Sequence, residues 1–201
     1  KGLRLPPNIA PIQVVIIPIS RNREQRNLVK DYIDKIVNEL IDLDIRYTVD
    51  WSDASPGYKF NEWELKGVPI RMEIGPRDVE SNIVVIARRD SGEKKSIHRD
   101  KINDETCSLL GKIQRELFDQ AKNFRDSNTH VVATYKDFKN IIKSGGFVKC
   151  GWDGSEETET KIKDETKATI RCIPFDENPE NLKCIYSGKP AEHEVIYAKA
   201  Y

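Results

Sequence analysis

Residues 62–78 read EWELKGVPIRMEIGPRD. Ile70, Met72 and Ile74 alternate with Arg71 and Glu73, the period of a β-strand with one apolar and one charged face. Gly75-Pro76 ends the strand, and Arg77-Asp78 follow at once. The simplest reading of these charges is a sheet face with local ion pairs. The more specific reading is a site for a ligand that offers hydrogen-bond donors and acceptors together.

The flanking sequence places this strand in an α/β fold. Residues 12–19 are apolar at nearly every position, as in a strand buried on both faces of a parallel-type sheet. Over residues 23–43, Leu28, Tyr32, Ile36 and Leu40 recur at steps of four, with Ile33, Val37 and Ile41 beside them, which predicts a helix. Residues 45–51 predict a second strand, residues 59–66 a short helix after the Ser55-Pro56-Gly57 loop, and residues 82–89 a fourth strand. This order implies a mixed sheet with helices packed on it. A long helix is expected over 104–128, with Leu109, Leu110, Ile113, Leu117, Ala121 and Phe124 on one side. Beyond it the pattern predicts a helix at 134–143 closed by Gly145-Gly146, a strand at 147–152, a helix at 155–167, and strands at 169–175 and 194–201. We therefore expect a Pro-rich linker over 1–11, an α/β domain over 12–128 and a small α+β domain over 129–201.

The chain has 201 residues, 38% apolar and 33% charged, a composition of globular domains with a polar surface. The longest apolar run, around residues 14–19, is far short of the ~18 residues a membrane span needs, so no membrane segment is expected. Lys1 is not a natural start, and no secretory signal is visible, so the chain is expected to be a fragment. The four cysteines form no C-x-x-C pair and read as reduced thiols of a cytoplasmic protein. Net charge is zero but uneven: residues 150–201 hold 7 Lys+Arg against 11 Asp+Glu, and residues 1–149 hold 26 against 22. A basic first part beside an acidic tail is compatible with nucleic-acid contact.

Four stretches, KGLRLPPNIAPIQVVIIPI, SPGYKFNEWELKGVPIRMEIGPRD, TKATIRCIPF and the final AKAY, together resemble the C-terminal half of the archaeal/eukaryote-like form of prolyl-tRNA synthetase. The likeness runs the length of the chain, in order and at matching spacing. It implies a class II anticodon-binding domain with a mixed sheet, followed by the small C-terminal domain of this form. The family's catalytic domain, with its ATP and magnesium, would precede Lys1. This chain holds no catalytic residue of aminoacylation and is expected to be inactive by itself. The implied partners are proline tRNA, the chain's own catalytic domain and, for the full-length enzyme, a second copy in a homodimer.

The resemblance gives the opening stretch a task. Proline anticodons end in two guanines. Guanine offers N–H donors beside the O6 acceptor, with N7 on the other edge; carboxylates accept from the former, and Arg or Lys donates to the latter. Unpaired anticodon bases can be splayed out and read on these edges. The family's anticodon contacts fall on Glu64, Arg71, Arg77 and Asp78, and a further family Lys falls at Glu93-Lys94, where Lys94 is the basic residue. Members often have Lys where this chain has Arg77, so the contact geometry there is expected to differ. Glu73 receives no reading role and is expected to hold the Arg71 guanidinium in place. Arg88, Arg89, Lys94, Lys95, Arg99 and Lys101 form a candidate phosphate-contacting cluster, diluted by Asp90, Glu93 and Asp100. In the family, the terminal Tyr201 reaches back toward the catalytic domain.

Many members hold zinc in the C-terminal domain through two cysteine pairs. These align with Asp153 and Thr158, and with Cys184 and Ser187, so one cysteine of four remains. Structural zinc takes four nitrogen or sulfur ligands in a tetrahedron, and this set does not supply them. A zinc-ribbon-related domain without zinc is therefore expected; a regrouping of Cys150, Cys172, Cys184 and His193 is the alternative on paper. Three other functions compete with the main reading. One is a cysteine hydrolase using Cys107 or Cys150 with His98, His130 or His193. Another is the anticodon-binding domain of a histidyl, threonyl or glycyl enzyme. The last is a pure assembly platform.

Overall fold

In the computed structural model, which describes residues 2–199, the chain divides into two units, residues 1–120 and 121–201. Both are mixed α/β. The terminal carboxylate of Tyr201 lies outside the described residues.

The first unit runs β1 (Val14–Pro18), α1 (Arg23–Asp42), β2 (Tyr47–Val49), α2 (Pro56–Lys66), β3 (Ile70–Ile74), α3 (Pro76–Glu80), β4 (Ile83–Arg88), β5 (Lys94–His98), and then the start of α4 (Ile102–Asn128). The sheet order is β2-β1-β3-β4-β5. β1 pairs in parallel with β2 and β3, whereas β3–β4 and β4–β5 are antiparallel. Every residue of β1 is buried, as its unbroken apolar run predicts. On one face Val14, Ile16, Ile70, Met72, Ile74, Val84 and Ile86 pack with Ile33, Ile36 and Leu40 of α1 and Ile102 and Ile113 of α4. On the other face Val15, Ile17 and Val68 pack with Phe60 and Trp63 of α2.

That second face also carries the charged residues of β3. Arg71 and Glu73 are each only 8% exposed, so the face the sequence suggests as half-solvated is buried. The cause is α2. Ser55 caps its N-terminus by accepting from the Tyr58 N–H, and Pro56 opens its first turn, the arrangement such residues favour. Gly67 closes it at φ +77, a left-handed conformation suited to glycine. A Cβ on Gly67 would also lie 2.6 Å from the Leu3 Cβ. The chain therefore reverses tightly from α2 into β3, and the helix returns over the face that holds Arg71.

Hydrogen bonds to carboxylates supplement the apolar core. Trp63 Nε1 donates to Asp50 Oδ2 at 2.7 Å, and Arg99 donates both Nη groups to Glu39 at 2.6 and 2.7 Å. Hydrogen bonding from Arg99 is the main reason the Glu39 carboxyl is held below its ordinary value. Burial pushes Asp50 and Asp90 upward. Hydrogen bonds from Ser52 and Trp63, and from Arg88, outweigh it and leave both below the ordinary value. A carboxylate depressed in the folded state stabilises the fold above its unfolded pKa, about 4, and loses that contribution as pH falls through the folded value. Stability of the first unit is accordingly expected to be flat from pH ~7 to ~5 and to fall steeply below ~4, as read by urea denaturation at stepped pH.

The second unit takes the end of α4, then β6 (Thr129–Val131), α5 (Tyr135–Ser144), β7 (Phe147–Trp152), α6 (Glu156–Thr166), β8 (Ala168–Cys172) and β9 (His193–Lys199). Its sheet order is β6-β7-β9-β8. Phe138, Ile142, Val148, Ile162, Val195 and Tyr197 form its core. The unit boundary at residue 120 falls inside α4, ahead of the expected 128/129 division. The one glycine in this helix, Gly111, lies well before residue 120, so nothing at the division itself marks a boundary in the sequence. The strand β6 and the five-residue α3 are too short for periodicity to define them, and β5 buries only Ile97, so it shows no apolar alternation.

Candidate nucleic-acid interface

Arg71 sits at the centre of a charged network. Its Nη1 donates to Glu64 Oε1 at 2.7 Å and its Nε to Glu73 Oε1 at 3.1 Å. The guanidinium lies 4.3 Å from the centroid of the Phe60 ring. Lys94 reaches the same Glu73 from β5, with Nζ 2.8 Å from Oε1, and lies 5.2 Å from the Phe60 centroid. α2 thus supplies Glu64 and Phe60, β3 supplies Arg71 and Glu73, and β5 supplies Lys94. The pairing of Arg71 with Glu73 expected from the alternation is present. It orients the guanidinium in a site that the ring shields from water.

Glu64, Arg71 and Lys94 line one cavity of about 510 Å³, together with Arg4, Arg89 and Asp90. Glu64 and Lys94 are accessible there, at 46% and 49% of their side-chain surfaces, while Arg71 is at 10%. The side-chain hydrogen bonds of Arg71 use Nε and Nη1. Glu64 accepts on Oε1. A carboxylate oxygen and guanidinium N–H groups therefore remain adjacent for a ligand edge that offers both donors and an acceptor. Arg89 Nε donates to the Glu64 backbone carbonyl at 2.8 Å, which ties β4 to the C-terminal end of α2.

Arg77 and Asp78 do not join this group. They lie past the other end of β3, beside a separate cavity of about 400 Å³ lined also by Ile19, Ser20, Arg21 and Gln25. Asp78 Oδ2 accepts from the Gly75 N–H at 2.8 Å and so caps α3. Arg77 is exposed.

The candidate phosphate cluster is also reorganised. Arg88 is buried and donates to Asp90 at 2.6 and 3.1 Å and to Glu116 on α4. Its hydrogen bonds to the Asp90 carboxylate are the main reason its pKa is raised. Lys95 pairs with Glu105 and Arg99 with Glu39. Arg88 and Arg99 are thus structural ties rather than groups held out for phosphate. The sequence places Arg4 in a linker and Asp90 among the acids that dilute the basic cluster, and it assigns nothing to Phe60. None of the three is marked there as part of this site, and chain reversals bring them to it.

Among the described residues no cysteine hydrogen-bonds a histidine. Burial, with Cys184 and Glu194 nearby, pushes the Cys150 thiol up to about 12, so it is protonated at neutral pH and a poor nucleophile. Cys107 is exposed on α4. The geometry gives a cysteine hydrolase no nucleophile–base pair.

Residues 13–106 match the family described as anticodon binding domain, and residues 135–201 match the family described as prolyl-tRNA synthetase, C-terminal. The chain is thus similar along its length to the C-terminal part of prolyl-tRNA synthetases. It is 45% identical over 202 residues to the proline–tRNA ligase of Christiangramia forsetii. Identity is 46% over 203 residues with that of Amoebophilus asiaticus and 46% over 201 residues with that of Porphyromonas gingivalis. Each match covers all of this chain and 41% of the relative. The chain therefore spans about two-fifths of the length of the synthetases it matches. Its first unit is the anticodon-binding domain of the family.

The family's zinc positions lie in the second unit. Asp153, Thr158 and Ser187 do come together, but as a hydrogen-bonded group. Asp153 Oδ2 accepts from Ser187 Oγ at 2.6 Å and from Thr158 Oγ1 at 3.2 Å. Two oxygens ~2.0–2.2 Å from a tetrahedral zinc lie well over 3 Å apart, and both hydroxyls here spend their protons on the carboxylate. Cys172 is exposed on β8, and His193 Nδ1 stands 3.2 Å from both oxygens of Glu177. Among the described residues no three His, Cys, Asp or Glu side chains gather as a metal-binding group. The donor set does not fit zinc.

Proposed function

We propose that the first unit reads the anticodon guanines of proline tRNA for a proline–tRNA ligase of which this chain is the C-terminal part. The observation that carries this reading is the Arg71 guanidinium held between Glu64 and Glu73 over Phe60, at the edge of a cavity. A carboxylate and a fork of N–H donors side by side complement guanine's N–H groups and O6. Lys94 and Arg89 add positive charge at the rim, which favours the RNA backbone. Arg77 and Asp78 form a second contact at the far end of β3, so two bases are read at two places. The ligase as a whole attaches proline to its tRNA at the expense of ATP, in a catalytic domain with magnesium, as a cytoplasmic homodimer. The joining of proline to its tRNA rests on the names of the relatives, and the ATP, magnesium, homodimer and cytoplasm on the resemblance stated above. No helix among the described residues is long and apolar enough to cross a membrane.

The test is competition binding of an anticodon stem–loop to the full chain at fixed salt, with each anticodon guanine replaced in turn by adenine. Each replacement is expected to weaken binding roughly tenfold to a hundredfold, the worth of a bidentate base contact (about 1–3 kcal/mol). Equal affinity for all the RNAs would show that the unit holds backbone without reading bases.

A further inference from the structure

We propose that Asp153, Ser187 and Thr158 form a metal-free clasp that closes the second unit where other members of the family use zinc. The clasp joins the turn after β7 to the loop over residues 184–189, across a separation of 34 residues between Asp153 and Ser187. Asp153 accepts on both oxygens: Oδ2 from Ser187 and Thr158, and Oδ1 from the Ser155 N–H at 3.3 Å. Ser187 Oγ in turn accepts from the Lys189 N–H at 3.4 Å, so a single hydroxyl links the carboxylate to the backbone of the loop. Charge-assisted bonds of this kind are the stronger class of hydrogen bond.

The backbone around the clasp is shaped to receive it. Ile185 N–H donates to the Gly151 carbonyl at 3.0 Å, and Cys184 N–H to the Lys189 carbonyl at 2.8 Å. The loop approaches so closely that a Cβ on Gly151 would lie 2.6 Å from the Lys183 carbonyl oxygen. Cys184 is 2% exposed and packs as a small apolar side chain. Loops closed by a metal and loops closed by a carboxylate solve the same entropic problem, that of holding two distant segments together. Here the carboxylate takes the one side-chain hydroxyl that Ser187 presents from the loop, and the energy comes from hydrogen bonds made as the unit folds.

The test uses the full chain, purified without a metal-binding tag. Elemental analysis is expected to show far less than one zinc per chain. Added zinc chloride and added EDTA are each expected to leave the thermal midpoint unchanged. Amide exchange then reads the clasp directly. Asp153→Ala and the milder Ser187→Ala are expected to speed exchange across residues 184–189 at least tenfold, with the amides of β3 and β4 unaffected. Stoichiometric zinc, or an EDTA-lowered midpoint, would overturn the proposal. So would unchanged exchange at 184–189 in both variants. If Asp153→Ala unfolds the whole second unit, Ser187→Ala still decides, because it removes a single hydroxyl.

Discussion

Arg71→Ala is expected to cost the first unit about 3 kcal/mol of stability and most of its discrimination between anticodons. Arg71 and Glu73 are each 10% exposed at the side chain and are bonded at 3.1 Å. Removing one partner of a buried pair leaves an uncompensated charge, worth about 3–5 kcal/mol. Glu73 retains Lys94 at 2.8 Å, which places the expected loss at the low end of that range. The loss of stability alone would not identify a base reader, so Arg71→Lys is the informative partner. Lysine keeps the charge beneath α2 but cannot hold Glu64 and Glu73 at once while presenting a planar fork. Arg71→Lys should therefore stay folded by denaturant titration. It should bind the wild-type stem–loop roughly tenfold or more weakly, with little further loss on guanine replacement. If it discriminates as well as the parent chain, Arg71 is a structural residue and the reading contact lies elsewhere.

Arg88→Leu is expected to be the most destabilising single change in the hairpin of β4 and β5, by about 3–5 kcal/mol. Arg88 and Asp90 are 5% and 3% exposed at their side chains, and the same guanidinium reaches Glu116 on α4. Its loss strands the Asp90 carboxylate in a buried site and unties the hairpin from the helix. Asp90→Asn keeps a hydrogen-bond acceptor and should cost less than half as much, since a neutral amide is far less expensive to leave imperfectly paired. The two units need not unfold together, so a single midpoint is ambiguous. Amide exchange in β4 under increasing urea isolates the transition of the first unit. A change below ~1 kcal/mol for Arg88→Leu would show that the triad is loosely hydrated.

The long elements were legible because each carries its own period. The step-of-four pattern from Leu28 to Leu40 defines α1, and the unbroken apolar run through residues 14–19 defines a central strand. The helix expected over 59–66 is present as α2, but the stretch read as a loop at Ser55-Pro56-Gly57 is its cap and first turn, so it begins at Pro56. The alternation of Ile70, Met72 and Ile74 with Arg71 and Glu73 settles which side chains share a face of β3, because successive residues point to opposite sides of a sheet. It also sets Arg71 beside Glu73, two residues apart on that face. The local pair holds the guanidinium in place; the Glu64 carboxylate that stands beside it for the proposed recognition of guanine does not follow from local order.

Tertiary structure decided what covers that face and what each charge meets. Arg71 finds Glu64 seven residues back because α2 folds over β3. Lys94 finds Glu73 across 21 residues, Arg88 finds Glu116 across 28, and Asp153 finds Ser187 across 34. Charges on a strand or loop look alike in sequence whether they face water, RNA or one another. The difference between a solvated arginine and a buried one is its desolvation, set by the elements that pack over it. Such packing depends on contacts between segments far apart in the chain, to which local period and composition are blind. That is why the five candidate readers divide between two cavities, and why Arg88, one charge in a basic run, became a tie between sheet and helix.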